Sequence, residues 1–379
     1  MDFDLTDEQR AIEATARDFA EKELAPNSAR WDAESHFPTD TLRKAAGLGF
    51  AGLYVREDVG GSALSRLDAA LVFEQLSRGD VATSAFLSIH NMVSWMVDQF
   101  GSEALRQRYL PALTTMELIA SYCLTEPGAG SDAASLSTSA RLDGDGYVLN
   151  GAKAFISGAG VSDLYLVMAR TGDGGSGGIS AFVVERAWPG VSFGVNERKM
   201  GWNAQPTAQV FLDNVRVPAA NRLGEAGAGF RIAMAGLDGG RVNIAACSLG
   251  GAQCALEVAR DHLASRRQFG RPLQDFQALQ FRLADMATEL DAARLMVRRA
   301  AQSLDRKSPD ATRHCAMAKR FATDAGFEVA NQALQLHGGY GYLRDYPLER
   351  IVRDLRVHQI LEGTNEIMRV IISRELMKS

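Results

Sequence analysis

The chain reads as a multidomain α+β protein: an N-terminal helical domain, a central β-barrel-like domain and a C-terminal four-helix bundle. Three observations predict this order. Apolar residues recur at helical spacing through residues 1–118, short β-rich runs broken by glycine occupy 119–224, and long helical segments return over 225–379. At 379 residues, 46% of them hydrophobic and 23% charged, the chain can build several packed cores of ordinary size.

The first helix is announced by Thr6-Asp-Glu-Gln9, a capping-box pattern that places acidic residues in the positive first turn, and Phe19 and Leu24 continue its apolar stripe. Segments 39–48, 65–77 and 84–100 have the same periodicity, with Gly60-Gly61 and Gly79-Asp80 as breaks. The runs 119–124, 147–149, 164–168, 179–184 and 210–212 are strands by composition, and the glycines crowded between them favour a compact sheet or barrel. Residues 172–178 form an exposed loop without a catalytic role. Beyond Gly224, segments 230–266, 273–304, 309–336 and 345–360 are long helices joined by brief turns, which implies an antiparallel bundle. A helical, β, helical order leaves a crevice between the β unit and the last bundle, and such clefts commonly hold a cofactor.

A net charge of −5 argues against a general nucleic-acid binder, because proteins that track phosphates display a basic excess. Cys123, Cys247, Cys254 and Cys315 lack paired spacing and sit among small or apolar residues, so they read as buried free thiols in a reducing compartment. His90, His262, His314, His337 and His358 have no metal-like spacing. The acidic N-terminus, Met-Asp-Phe-Asp-Leu-Thr-Asp-Glu, is unlike a secretory or mitochondrial leader; it implies a leaderless cytoplasmic chain or the trimmed form of an imported one. No uninterrupted apolar run reaches the ~20 residues of a membrane span.

Residues 121–132, Ser-Tyr-Cys-Leu-Thr-Glu-Pro-Gly-Ala-Gly-Ser-Asp, run an apolar strand into a polar turn whose Pro127, Gly128 and Gly130 let backbone N–H groups approach a ligand. Alone, this is an ordinary strand-to-loop connection. Near the other end stand Gln335-Leu-His-Gly-Gly-Tyr-Gly-Tyr342 and Arg353-Asp-Leu-Arg-Val-His-Gln-Ile-Leu-Glu-Gly-Thr-Asn-Glu366, with Phe155-Ile-Ser157 and Arg266-Arg-Gln-Phe-Gly270 between. In this order these segments resemble the acyl-CoA dehydrogenase family of flavoproteins. The resemblance runs from Leu5-Thr-Asp-Glu-Gln9 to Ile372-Ser-Arg-Glu375, essentially the whole chain.

The resemblance implies FAD as cofactor and Glu362 as the base that removes the α-proton of an acyl thioester while a hydride leaves the β-carbon for the flavin. Local sequence alone favours reading Glu362 as a helix-capping glutamate; with the resemblance, Ile360, Leu361 and Gly363 around it predict partial desolvation and a raised pKa. The implied flavin contacts are Tyr122, Cys123, Leu124, Thr125, Gly130 and Ser131; Phe155, Ile156 and Ser157; Arg266, Gln268 and Phe269, reaching the pyrophosphate of a neighbouring subunit; Phe276 and Gln277; Gln335, Gly338 and Gly339; and Thr364, Asn365 and Glu366. Many family members have Trp where this chain has Phe155, which keeps a stacking wall without an indole N–H. Arginine suits a phosphate because its planar fork binds two oxygens at once, although Arg266-Arg267 alone would be a solvated helix end.

Substrate contacts implied in the same way are Ser131, Leu237, Asp238, Gly239, Gly240 and Arg374, with Arg374 toward the CoA portion. The glycines at 239 and 240 would leave room for an acyl group branched at C2. Lys153-Ala-Phe-Ile-Ser-Gly158, Gly201-Trp-Asn-Ala-Gln-Pro206 and His358-Gln-Ile-Leu-Glu-Gly363 point within the family to a short branched-chain acyl-CoA. The implied reaction is isobutyryl-CoA to methacrylyl-CoA in valine breakdown, with electrons passed to electron-transfer flavoprotein and the chain assembled as a homotetramer, a dimer of dimers. Rival functions on the same residues are dehydrogenation of 2-methylbutyryl-CoA or butyryl-CoA, an acyl-CoA oxidase, and a catalytically silent flavin- or CoA-binding protein. One methylene in an apolar pocket changes binding by only ~1–3 kcal/mol, so the acyl chain is the least constrained element.

Overall fold

The computed structural model describes residues 4–378. Helix α1 (Asp7–Phe19) opens with the expected capping box: Thr6 Oγ1 accepts from the Gln9 N–H while the Gln9 amide oxygen accepts from the Thr6 N–H. A π-turn, Ala20–Leu24, leads without a break into α2 (Ala25–Glu34). Helices α3 (Thr39–Ala46), α4 (Arg66–Gly79), α5 (Val81–Phe100) and α6 (Glu103–Thr114) complete this part. Gly79-Asp80 breaks the pattern for two reasons. A Cβ on Gly79 would meet the Ala20 carbonyl at 2.6 Å, and Asp80 caps α5 by accepting from the Thr83 N–H at 2.8 Å.

The middle of the chain forms β1 (Ala120–Cys123), β2 (Ser139–Asp143), β3 (Gly146–Ser157), β4 (Leu164–Arg170), β5 (Ile179–Glu185), β6 (Val191–Phe193), β7 (Thr207–Pro218) and β8 (Arg222–Leu223). They pair in the order β6-β7-β3-β2-β4-β5-β8, with β1 added parallel to β4. Cys123, Ala140, Leu149, Val167, Phe182 and Val210 come from six different strands and share one buried cluster, so the sheet wraps around its own core. The β3–β7 ladder shifts register between Lys153 and Ile156, a bulge that turns Phe155 outward.

Helix α7 (Gly229–Ser265) leads to a hairpin of β9 (Arg267–Gln268) and β10 (Arg271–Pro272), followed by α8 (Gln277–Asp305), α9 (Ala311–His337), α10 (Leu348–Arg356) and α11 (Asn365–Leu376). Helices α7, α8 and α9 pack on one another, and α10 and α11 pack on α9. The segment 345–360 is therefore shorter as a helix than its periodicity predicts, ending in a 3-10 turn at Val357–Gln359, and α11 is an additional helix. The two helical units share one hydrophobic core, in which Ala16, Phe73 and Leu76 lie in the same cluster as Ala245, Val297 and Leu355. Within the described residues α7 is long and apolar enough to cross a bilayer, but 72% of its apolar window is buried inside the protein, as in a core helix.

Candidate active site

Glu362 lies in the turn between Val357–Gln359 and α11, with φ of 56°, and Gly363 follows at 88°. Left-handed backbone is natural for Gly363 and costs a glutamate about 1 kcal/mol, which the surrounding contacts must offset. The Lys319 ammonium donates to the Gly363 carbonyl at 2.8 Å and to Asn365 Oδ1 at 2.9 Å. Arg241 Nε donates to the Glu362 carbonyl at 3.2 Å. Two cations thus hold the turn by its carbonyls and leave the carboxylate unclaimed.

Carboxylate oxygen Oε2 of Glu362 is sealed from solvent and has no hydrogen-bond partner, and the Tyr122 hydroxyl is buried and unpartnered as well. Burial pushes the Glu362 carboxyl up to about 7, against the downward pull of Arg241 and Lys319. The Lys319 ammonium is brought down to about 7 by burial, with Glu362 opposing. A carboxylate dry enough to titrate near neutrality, with no hydrogen bond to give up, is suited to proton abstraction. Among the described residues the Glu362 N–H donates to no carbonyl, so it is open to an incoming oxygen.

Of residues 237–240 on α7, Gly240 faces this carboxylate and Gly239 faces Arg66. A Cβ on Gly240 would stand 2.6 Å from Glu362 Oε2, and one on Gly239 would stand 2.5 Å from Arg66 Nη1. The space those glycines leave is bordered by Glu362 Oε2 and Arg66 Nη1. Asp238 is corrected: its two oxygens accept from Arg241 and from Thr312 Oγ1, each at 2.7 Å, so it steadies Arg241 instead of facing a ligand. Leu237 is buried beside Met92 and Met96.

The flavin segments fall in two groups. In the first, β1 ends at a turn pinned by a buried ion pair. Lys153 Nζ lies 2.7 Å from Glu126 Oε1, and Glu126 also accepts from the Ser137 and Thr138 N–H groups. The Ala154 N–H donates to the Thr125 carbonyl at 2.9 Å, which sets Phe155 beside that turn; its ring is 68% exposed and its φ is 57°. Gly130 and Ser131 are exposed, and a Cβ on Gly130 would touch nothing within 4 Å. The Ser157 carbonyl accepts from Ser121 Oγ at 2.5 Å. The side chains of Cys123, Leu124 and Ile156 are buried in the core, which leaves their backbones for a ligand.

The second group lies at the end of α7 and α9. Arg266 stacks over Tyr340 at 5.5 Å, and His262 stacks on His337 at 4.1 Å, joining the β9–β10 hairpin to Gln335, Gly338 and Gly339. Arg266, Gln268, Phe269 and Gln277 are exposed, with Phe269 at 92% and edge-on to Phe276. A Cβ on Gly338 or Gly339 would meet nothing within 4 Å. Thr364 caps α11, while Glu366 and Arg374 are exposed along it. Asn365 is a further correction. Its amide is spent on Lys319, Thr323 and Asp324, so it braces the turn from within.

Among the described residues no hydrogen bond, ion pair or ring contact joins the two groups. An exposed aromatic wall, a glycine turn with open space beside it and an orphaned tyrosine hydroxyl fit the ring of a flavin; exposed arginine and paired glycines fit its diphosphate. Sequence reasoning missed Arg241 and Lys319. The signal for Arg241 was a cation at the head of the apolar run Val242-Asn-Ile-Ala-Ala-Cys247; Lys319 stands beside Arg320 and offered no such signal.

Comparison with known proteins matches residues 6–117, 121–215 and 227–377 to the N-terminal, middle and C-terminal domains of acyl-CoA dehydrogenase. A mitochondrial isobutyryl-CoA dehydrogenase of Dictyostelium discoideum is 58% identical over 375 residues, 99% of this chain and 90% of that protein. The butyryl-CoA dehydrogenase structure from Megasphaera elsdenii superposes with a TM-score of 0.97 at 39% identity, covering 100% of both chains. A chain in a structure described as the electron transferring flavoprotein of Acidaminococcus fermentans superposes at 0.98 with 42% identity, again over 100% of both.

Proposed function

This chain belongs to the acyl-CoA dehydrogenase family, and from that premise we propose that it oxidises isobutyryl-CoA to methacrylyl-CoA, with Glu362 as the base. It is an FAD-dependent oxidoreductase. The observation that carries the proposal is the buried, unpartnered Oε2 of Glu362, held in a left-handed turn where burial pushes the carboxyl up to about 7.

Bound FAD supplies the acceptor for the hydride that leaves the β-carbon. The chain's own residues do the remainder. Glu362 takes the α-proton, and its N–H, which donates to no carbonyl among the described residues, would donate to the thioester oxygen as charge develops there. Lys319 and Arg241 fix the turn so that the carboxylate need not reorganise. Phe155 and the 125–131 turn would hold the ring of the flavin, with the buried, unpartnered Tyr122 hydroxyl as a further polar group for it. Arg266, Gln268 and Phe269, set apart from that wall within one protomer, would reach the diphosphate held by a neighbour in a homotetramer built from two such dimers. Electron-transfer flavoprotein is the proposed acceptor, in keeping with the neighbour described by that name.

Anaerobic mixing of the holoenzyme with isobutyryl-CoA, 2-methylbutyryl-CoA and butyryl-CoA tests this. Flavin absorbance should bleach fastest with isobutyryl-CoA, and Glu362→Gln should slow bleaching by roughly 10²-fold or more. Faster bleaching by another thioester would replace the substrate and keep the base. Full-rate bleaching in the variant would remove Glu362 from that role.

A further inference from the structure

One buried cation near the carboxylate has no part in the chemistry above. Arg66 is the first residue of α4 and only 9% exposed. Among the described residues its guanidinium is paired with no carboxylate. It lies over the Tyr54 ring at 3.7 Å and over the Trp95 ring at 4.5 Å. Its backbone is equally fixed, since the Arg66 and Leu67 N–H groups donate to the two oxygens of Asp305 at 2.7 and 3.2 Å. Tyr54 is held in turn by Asn243, which donates to its hydroxyl at 3.0 Å.

The position of this cation is set by the glycine pair on α7. The Cβ that Gly240 lacks would meet Glu362, and the Cβ that Gly239 lacks would meet Arg66, so the carboxylate and the guanidinium lie against neighbouring positions of α7. We propose that Arg66 is the end wall of the acyl cavity and sets the length of acyl chain the protein accepts. This rests on the acyl-CoA reading above.

The physical reason is that a longer chain would have to pull a cation off two aromatic faces or bury methylenes against an unpaired charge. A branched four-carbon group ends before that point. An arginine stacked on rings makes a firmer stop than a flexible apolar side chain, which would repack around an extra methylene.

The test uses FAD holoenzyme with Arg66→Met, which keeps most of the stem, and Arg66→Ala. For each, kcat/KM is measured on isobutyryl-, butyryl-, valeryl- and hexanoyl-CoA. The hexanoyl to isobutyryl ratio should rise at least tenfold in Arg66→Ala and less in Arg66→Met. A ratio within twofold of the parent in both would overturn the assignment. Should neither variant fold, binding to Glu362→Gln holoenzyme decides the matter through the shift in flavin absorbance: hexanoyl-CoA should bind at least tenfold more weakly than isobutyryl-CoA, and equal binding would overturn it. Absence of bleaching by every thioester in the parent would remove the acyl-CoA reading and this assignment together, whereas bleaching with an unaltered chain-length profile removes this assignment alone.

Discussion

A glutamate with φ of 56°, no partner on its inner oxygen and two cations gripping the adjacent carbonyls is a side chain prepared for one task. Its behaviour with pH follows directly. The base form is the carboxylate and burial sets its pKa at about 7, so kcat/KM should climb as pH rises through 7 and level off above it. A nearby cation favours the charged form, so removing one should move that rise to higher pH. Lys319→Met should therefore displace the ascending limb in the alkaline direction. The effect is best read below pH 7, where Lys319 itself still carries its charge. A limb that stays in place or moves toward acid would exclude electrostatic coupling between the two. Glu362 could be singled out in the sequence only by resemblance, since a glutamate before Gly-Thr-Asn reads by itself as a cap. Lys319 was hidden by Arg320 beside it, which makes the pair look like a solvated helix face.

At the scale of elements, the β1 turn and β3 act as a unit because Glu126 and Lys153 are paired where water does not reach. Burial alone would raise the Glu126 carboxyl, but Lys153 and the hydrogen bonds from Thr138 and Ser137 outweigh it and hold it at about 2. A carboxyl whose folded pKa lies below its unfolded value stabilises the fold above the unfolded value, and that stability is lost as pH falls toward the folded one. Lys153→Met leaves Glu126 buried without its cation and should cost about 3 kcal/mol in urea unfolding at neutral pH. It should also move acid unfolding to higher pH. An unchanged midpoint would mean that the three hydrogen bonds from residues 137 and 138 suffice. Periodicity exposed the long helices well, because a helix packed on a core must repeat its apolar face. It did not reveal α6, which contains Pro111, or α11, whose burial is confined to Asn365 and Met368.

For the whole molecule, the exposed Arg266–Phe269 segment and the Phe155 wall share no contact among the described residues, and the proposed homotetramer would bring them together in one flavin site. Replacing Phe269 with Ser and Arg266 with Ala should leave the helical content of the protomer unchanged, because both side chains are exposed in it. The double variant should lose bound flavin, seen as a fall in the ratio of absorbance at about 450 nm to that at about 280 nm, and should shift to smaller species in light scattering. Full flavin content in a monomeric variant would show that one protomer suffices.

The sequence by itself determined the order helical, β, helical, the capped start of α1, the break at Gly79-Asp80 and the family. Each of these is written in local pattern or in a contiguous motif, where neighbours along the chain carry the information. Only the tertiary structure decided that Gly240 makes room for Glu362 and Gly239 for Arg66, that Asp238 and Asn365 are braces, and that Cys123, Leu124 and Ile156 turn their side chains away from the crevice. These outcomes depend on which residues from distant parts of the chain share one small volume. Arg66 and Gly239 are brought together by packing α4 against α7, and no window along the chain contains both.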